Sequence, residues 1–326
     1  MWGDGSRDST SLTHAHTPPL PDALLSTEAG TEPPSTFSQP AQSMLQIALP
    51  NKGALSDGAA QLADEAGYHC RRRGRELSVR DPDHGVEFVF LRPRDIATYV
   101  SNGIIELGVT GLDLTHDSGA DVEHVMDLGF GKARFCYAVP KSSDLTPDTF
   151  TSDTRIATSY DTLVRQDLDE RGVDATVVPL DGAVEISIQL GVADVIADVV
   201  QTGRTIDEAG LETAGAPILR TEAILVAQNG ETAQREKAQR FAERVKGILV
   251  AREYVVVEYD LPEARLPEAR EVTPGIESPT VSPLSKEGWV AVKAMVRRSR
   301  ANEIMDELQA LGARGIIITT IRTCRI

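Results

Sequence analysis

The sequence predicts an α/β protein built as two lobes with a cleft between them, followed by a small βαββαβ module of ferredoxin-like plan. From residue 45 to 208, short apolar runs of strand length alternate with helical pieces, the rhythm of a largely parallel sheet whose ligands sit at the carboxyl ends of its strands. That rhythm falls into two blocks, 44–135 and 136–208, which implies a bilobal body. From residue 253 the order changes to strand, helix, two strands, helix, strand, which is a separate plan.

Residues 1–43 are rich in Pro, Ser and Thr, carry one base (Arg7), and have no apolar stretch beyond Ala23-Leu24-Leu25. They cannot bury enough surface to fold and match neither a secretory signal nor an Arg-rich transit peptide, so a disordered extension is expected, with the folded part starting at Met44. LQIALP (45–50) then reads as a strand, 54–67 as a helix closed by Gly67, and VEFVFLRP (86–93) and IELGVTG (105–111) as strands. In the second block RFCYAVP (134–140), RIATSY (155–160), ATVVPL (175–180) and ADVIADVV (193–200) read as strands, with helices over 161–172 and 183–191. RTEAILVAQNG (220–230) reads as a strand returning to the first lobe, which is expected to reclaim the chain from about 209, and a polar helix over 231–252 then leads outward.

In the terminal block, 253–260, 278–284, 289–296 and 315–321 read as strands, and LPEARLPEARE (261–271) as its first helix. Over 300–312, Ala301, Ile304, Met305, Leu308 and Leu311 fall on one helical face, and Gly312 supplies the C-terminal cap.

Composition excludes several classes of function. Forty-nine acids against 33 bases give a net charge of −16, which repels nucleic acids and anionic membranes; the best basic cluster, Arg71-Arg72-Arg73-Gly74-Arg75, is short. No apolar run reaches the ~20 residues of a membrane span. The three cysteines, at 70, 136 and 324, are widely spaced and form no Cys-x-x-Cys, which fits a reducing cytoplasm better than a disulfide framework. None of the histidines has metal-site spacing. GFGKAR (129–134) starts like a dinucleotide fingerprint, but Arg134 replaces the third glycine and a strand follows.

The most informative stretch is DVIADVVQTGRTIDE (194–208). An apolar strand delivers the chain to Gln201-Thr202-Gly203-Arg204-Thr205, and Thr205 with Glu208 has capping-box spacing. The loop alone allows two readings: a well-capped helix without ligand, or an anion site in which backbone N–H groups and threonine hydroxyls donate to phosphate oxygens. Its surroundings favour the second. Glu185, Asp194 and Asp198 approach the same strand end, where carboxylates accept hydrogen bonds from sugar hydroxyls. Lys52 and Ser56 follow the first strand, Arg92 and Arg94 follow another, and Thr158, Ser159, Tyr160 and Arg165 surround a third turn. Donors and cations on three strand-end loops of an acidic chain suit a highly anionic substrate.

These residues carry a resemblance. ALPNKGALS, FLRPRDIATYV, ELGVTGLDL, RIATSYDTLVR, LDGAVEIS, GVADVIADVVQTGRT and PGIESPTVSPL closely resemble, in order over residues 44–326, the long form of the ATP phosphoribosyltransferases of histidine biosynthesis. The resemblance implies a type II periplasmic-binding-protein-like body plus a regulatory module. It also implies transfer of phosphoribose from phosphoribosyl pyrophosphate (PRPP) to N1 of ATP, Mg2+ as cofactor, held mainly by substrate pyrophosphate, inhibition by L-histidine, and assembly as dimers and hexamers.

It further implies that Asp198, Gln201, Thr202, Gly203, Arg204 and Thr205 grip PRPP by its 5′-phosphate and ribose, and that Glu185 lies near the ribose. Lys52 and Arg92 would face pyrophosphate or nucleotide phosphates, and Asp113, Leu114 and Tyr160 would line the nucleotide side. Asp260, Ile276, Thr280, Met295 and Gly315 would bind histidine. A prephenate-dehydratase-like enzyme shares this domain plan but requires a Thr-Arg-Phe triplet, which does not occur here.

Overall fold

Hydrophobic alternation resolves into three sheets in a computed structural model that describes residues 44–230 and 235–326. The expected disorder of 1–43, and the start of the expected helix at 231–234, lie outside the described residues.

The first lobe begins with β1 (Leu45–Pro50), α1 (Ala54–Glu65), β2 (Ser78–Asp81), β3 (Val86–Leu91), α2 (Pro93–Ser101), β4 (Leu107–Gly111), α3 (Leu112–Ser118) and β5 (Glu123–Asp127). The chain crosses to the second lobe for β6 (Ala133–Pro140), β7 (Arg155–Thr158), α4 (Asp161–Arg171), β8 (Thr176–Pro179), α5 (Ile186–Gln189), β9 (Val195–Val200), α6 (Arg204–Glu208) and β10 (Leu211–Thr221). It returns through β11 (Ala223–Ala227) and α7 (Arg235–Glu253).

The first sheet has the order β2-β3-β1-β4-β11-β5 and the second β10-β6-β9-β7-β8. In each, the strand that has just crossed from the other lobe, β11 or β6, runs antiparallel between two strands that are parallel to one another. Leaving aside the edge hairpin strand β2, both sheets share one topology, that of type II binding proteins. The strand carboxyl ends of both sheets carry the loops of the site, as expected for open α/β sheets.

β1 reads as a nearly continuous apolar run because it is covered on both faces. On one side Leu45, Ile47 and Leu49 join Phe88, α1 and α7; on the other Ala48 joins Ile96 and Val100 of α2. β6 divides its side chains similarly: Phe135, Tyr137 and Val139 pack with Leu163, Val164 and Leu168 of α4, whereas Cys136 and Ala138 pack with Val184 and Ile206.

Three expectations change. The chain does not rejoin the first lobe near 209: β10 pairs with β6 in the second sheet, and the return begins at Ala223. A bulge between Ala214 and Leu219 breaks its side-chain alternation, which hides the strand in sequence. The helix over 183–191 shrinks to one turn at Ile186–Gln189. Finally, α7 does not simply lead outward, because it buries Phe241, Val245 and Ile248 in the first lobe's core, each worth about 1.5–3 kcal/mol.

The terminal module consists of β12 (Tyr254–Pro262), α8 (Leu266–Val272), β13 (Thr280–Pro283), β14 (Trp289–Arg297), α9 (Ala301–Ala310) and β15 (Arg314–Thr320). Its antiparallel sheet has the order β13-β14-β12-β15, the ferredoxin-like arrangement. Alternate residues Val255, Val257, Tyr259 and Leu261 form a separate core with Ile304 and Leu308 of α9. The opposite sheet face, carrying Glu258, Asp260, Lys293, Met295 and Ile317, has no helix over it among the described residues; Ile317 is 56% exposed.

Candidate active site

Where β1 ends, Pro50 and Gly53 turn the chain, and Gly53 takes the positive φ of 81° that only glycine adopts freely. The turn presents Lys52 to a cavity of 170 Å³ lined also by Asp113, Leu114, Tyr160, Gln201 and Thr221. Residues from both lobes thus meet there. Beside Lys52, the buried Asn51 Oδ1 has no hydrogen-bond partner among the described residues. A buried acceptor left unpaired costs about 1–3 kcal/mol unless a donor arrives from water or ligand.

Asp113 is held from the second crossover: its backbone N–H donates to Thr221 Oγ1 at 3.1 Å, and the Thr221 hydroxyl donates to Asp113 Oδ1 at 2.6 Å. Tyr160 donates its hydroxyl to Asp113, and burial together with that carboxylate pushes the phenol well above its ordinary range. The tyrosine therefore remains a neutral donor.

Asp198 lies on β9 and accepts the Val199 N–H at 2.7 Å. Burial first, then the neighbouring charges of Glu185 and Asp113, push its carboxyl up to about 6. Asp198, Glu185 and Asp113 are thus near enough to act on one another, with Arg94 as an opposing cation, which suits a ligand that brings hydroxyl donors or developing positive charge. Glu185 follows Ala183, which has a left-handed φ of 49°. That conformation costs a non-glycine residue roughly 1–2 kcal/mol, a strain of the kind stored in ligand-binding loops.

The loop after β9 departs from its expected cap. Gly203, at φ 81°, is the residue before α6, and no side chain makes a capping hydrogen bond; Thr205 lies inside the helix and Glu208 pairs instead with Arg204 at 2.7 Å. The Thr205–Glu208 capping box therefore does not form, because the left-handed Gly203 takes the N-cap position two residues early. Gln201 lines the cavity, whereas Thr202, Arg204 and Thr205 are exposed beside it. A Cβ on Gly203 would have room, with Val200 the nearest atom at 4.0 Å, so backbone conformation rather than crowding selects glycine there.

Arg92 does not line this cavity; it is exposed at the turn into α2, ahead of Pro93, which does. Arg94 is the more engaged cation, donating to the Ser159 carbonyl at 2.6 Å and placing its guanidinium 4.7 Å from the centre of the Tyr160 ring. Both arginines are read at this strand end, and the family resemblance gives the phosphate-facing role to Arg92. A second cavity, of 490 Å³, adjoins Arg94 and is lined by Thr158, Ser159, Asp161, Pro179 and Asp181.

On the terminal module Asp260, Thr280 and Gly315 share a 450 Å³ cavity with Glu258, Ser282, Lys293 and Ile317. Ile276 and Met295 do not line it: Ile276 is in the loop before β13, and Met295 is one step along the same sheet face from Lys293. Among the described residues, no group of three or more His, Cys, Asp or Glu is placed to hold a metal ion. No described helix is long and apolar enough to cross a membrane.

Two α/β lobes meeting at strand ends, with a cation and buried acids around a shared cavity, define an enzyme body for a polar, anionic small molecule. Comparison with known proteins specifies which. A family model described as ATP phosphoribosyltransferase matches residues 92–247, and one described as the HisG C-terminal domain matches 251–323. The ATP phosphoribosyltransferase of Salinibacter ruber is 82% identical over 283 residues, covering 87% of this chain and all of that protein. That of Corynebacterium diphtheriae is 51% identical, also over 87% of this chain and all of its own length. The solved ATP phosphoribosyl transferase (HisG:HisZ) complex from Thermotoga maritima shares the fold, with a TM-score of 0.56 at 24% identity over 63% of this chain and 98% of that one. The chain belongs to the ATP phosphoribosyltransferase family and is a transferase of histidine biosynthesis.

Proposed function

We propose that the enzyme joins PRPP to N1 of ATP, releasing pyrophosphate and forming phosphoribosyl-ATP, and that L-histidine inhibits it through the terminal module. One observation carries the catalytic part: a single cavity brings Lys52 and Asp113 of one lobe against Tyr160 and Gln201 of the other, with Asp198 and Glu185 alongside. The N1 lone pair forms the new bond to C1 of the ribose as the C1–oxygen bond breaks and its electrons leave with pyrophosphate. Positive charge builds on the ring between those events. Asp198 and Glu185 oppose that charge, while Lys52 and Arg92 receive the departing pyrophosphate.

The reaction needs no covalent nucleophile. Its larger demand is alignment of two anionic substrates, worth up to ~7–11 kcal/mol, which two lobes closing on one cavity can supply. Residues Gln201 to Thr205 hold the 5′-phosphate, with Gly203 allowing close backbone approach; Asp113, Leu114 and Tyr160 seat the nucleotide. The described residues offer no protein cage for Mg2+. Mg2+ would be carried mainly on the substrate's pyrophosphate oxygens, where it would neutralise leaving-group charge.

Asp260, Thr280 and Gly315 form the heart of the histidine site, in which the aspartate meets the ligand's ammonium group. Assembly as dimers and hexamers would cover the open face of the terminal sheet. Calorimetric titration of PRPP with Mg2+, beside a coupled assay for phosphoribosyl-ATP, tests the reading. Binding that Gly203→Val removes, with the circular dichroism spectrum unchanged, is expected; no heat from the unaltered protein refutes the transferase site, and unchanged affinity in the variant refutes the loop assignment.

A further inference from the structure

We propose that Arg94 and Asp117 form a latch between the two lobes that fixes Tyr160 at the cleft, making both of them positioning residues for the transfer reaction. Arg94 belongs to α2 and Asp117 to α3, both in the first lobe, and they form an ion pair with one another. Each also reaches into the second lobe. Arg94 donates to the Ser159 carbonyl at 2.6 Å and covers the face of the Tyr160 ring. The other carboxylate oxygen of Asp117 accepts the backbone N–H groups of Thr162 at 3.1 Å and Leu163 at 3.3 Å, in the first turn of α4.

That second contact fills a gap left by the sequence. α4 is preceded by Tyr160, which makes no side-chain capping bond, so the orphan donors of its first turn are satisfied from the other lobe. A helix cap normally lies next to its helix in sequence; this one stands 45 residues from the amide it accepts. Asp117 is also committed, with a side chain only 3% exposed against 43% for Arg94. A buried carboxylate that loses its cation, or a helix end that loses its acceptor, has no cheap substitute.

The arrangement bears on chemistry as well as on stability. Tyr160 is gripped twice by the first lobe, its ring by Arg94 and its hydroxyl by Asp113, and it lines the cavity shared with Lys52 and Gln201. Covalently the lobes are joined by residues 128–132 and by Glu222, and the Asp113–Thr221 hydrogen bonds lie beside the second of these crossovers. Short crossovers permit hinge motion. The latch therefore sets the angle between the lobes, and with it the distance between the phosphate loop on one side and Lys52 on the other. Its catalytic consequence rests on the proposed seating of the nucleotide against Tyr160, but the latch itself does not.

The test separates the two. Nitroxides placed on cysteines introduced at Gln61 and Glu170, in a full-length Cys324→Ser chain diluted with unlabelled protein, report the lobe-to-lobe distance by pulsed electron resonance. A narrow distribution is expected for the parent and a broadened one for Asp117→Ala and Arg94→Ala. Asp117→Asn, which keeps an acceptor for Thr162 and Leu163 but loses the charge, is expected to be intermediate and guards against a variant that fails to fold. In the same proteins KM for ATP should rise at least tenfold, PRPP affinity should stay within about twofold, and Arg94→Lys should recover part of the loss. Unchanged distributions in all three variants overturn the latch; broadened distributions with unchanged KM for ATP overturn its positioning role. Failure of the parent to bind PRPP would refute the proposed function and leave the distance result standing.

Discussion

Asp198 is kept in the cleft at a cost to stability. Its folded carboxyl lies near 6 against an ordinary 3.8, chiefly because it is buried. The folded state therefore holds its proton more tightly than the unfolded chain, and stability falls as pH rises from about 4 to 6, then stays level. Asp198→Asn is expected to stabilise the protein by roughly 1–3 kcal/mol at pH 7–8, with the gain vanishing near pH 4, while transferase activity drops at least a hundredfold. Urea melts at the two pH values read the first part; a destabilised variant at pH 8 would show that the carboxylate is paired after all. At this scale the sequence was legible where position follows from a strand end: Lys52 and Gln201, read from the loops after two strands, line one cavity. The sequence placed Arg94 at a strand end but was silent on its contacts and those of Asp117, which depend on how two lobes pack, and on Asn51, whose unpaired oxygen no local pattern reveals.

Among the elements, long periodic ones were readable and single turns were not. The face of α9 was readable, and Ile304 and Leu308 on it are buried in the module's core, since burial there follows the helical period directly. α5 and the start of α6 are set by left-handed residues, Ala183 and Gly203, so a capping-box spacing was outvoted by backbone geometry. The helix-free face of the terminal sheet is where the element scale yields a prediction. Trp289 lies beside the Asp260 cavity, with Lys286 Nζ 3.8 Å from its ring centre on one flank and Arg314, opposite Asp260 in the strand register, at 5.3 Å. Histidine binding to Asp260 should disturb that packing. Titrating histidine is expected to change Trp289 emission in the parent, and Asp260→Asn should abolish both that change and inhibition while leaving uninhibited activity within about twofold. Inhibition that survives in the variant would place the effector elsewhere.

For the whole molecule, the order of the strands and their arrangement in space diverge. The two-block rhythm announced the lobes, but the point of return was misread because bulged β10 carries no clear period and belongs to the lobe being left. The second sheet is therefore contiguous in sequence, whereas the first is interrupted, and β11, late in the chain, lies between β4 and β5. This interruption dictates a schedule for synthesis. A nascent chain released through residue 221 contains every strand of the second sheet, yet β5 still has no partner strand, because β11 is the one strand it pairs with among the described residues. The first lobe, made earlier, must close later, once Ala227 and the apolar face of α7 have left the ribosome. Stalled chains that have emerged only to about residue 225 should show protease-resistant second-lobe fragments and a digested first lobe, and chains in which α7 has emerged as well should protect both. Equal protection at the shorter length would mean that the first lobe does not wait for β11.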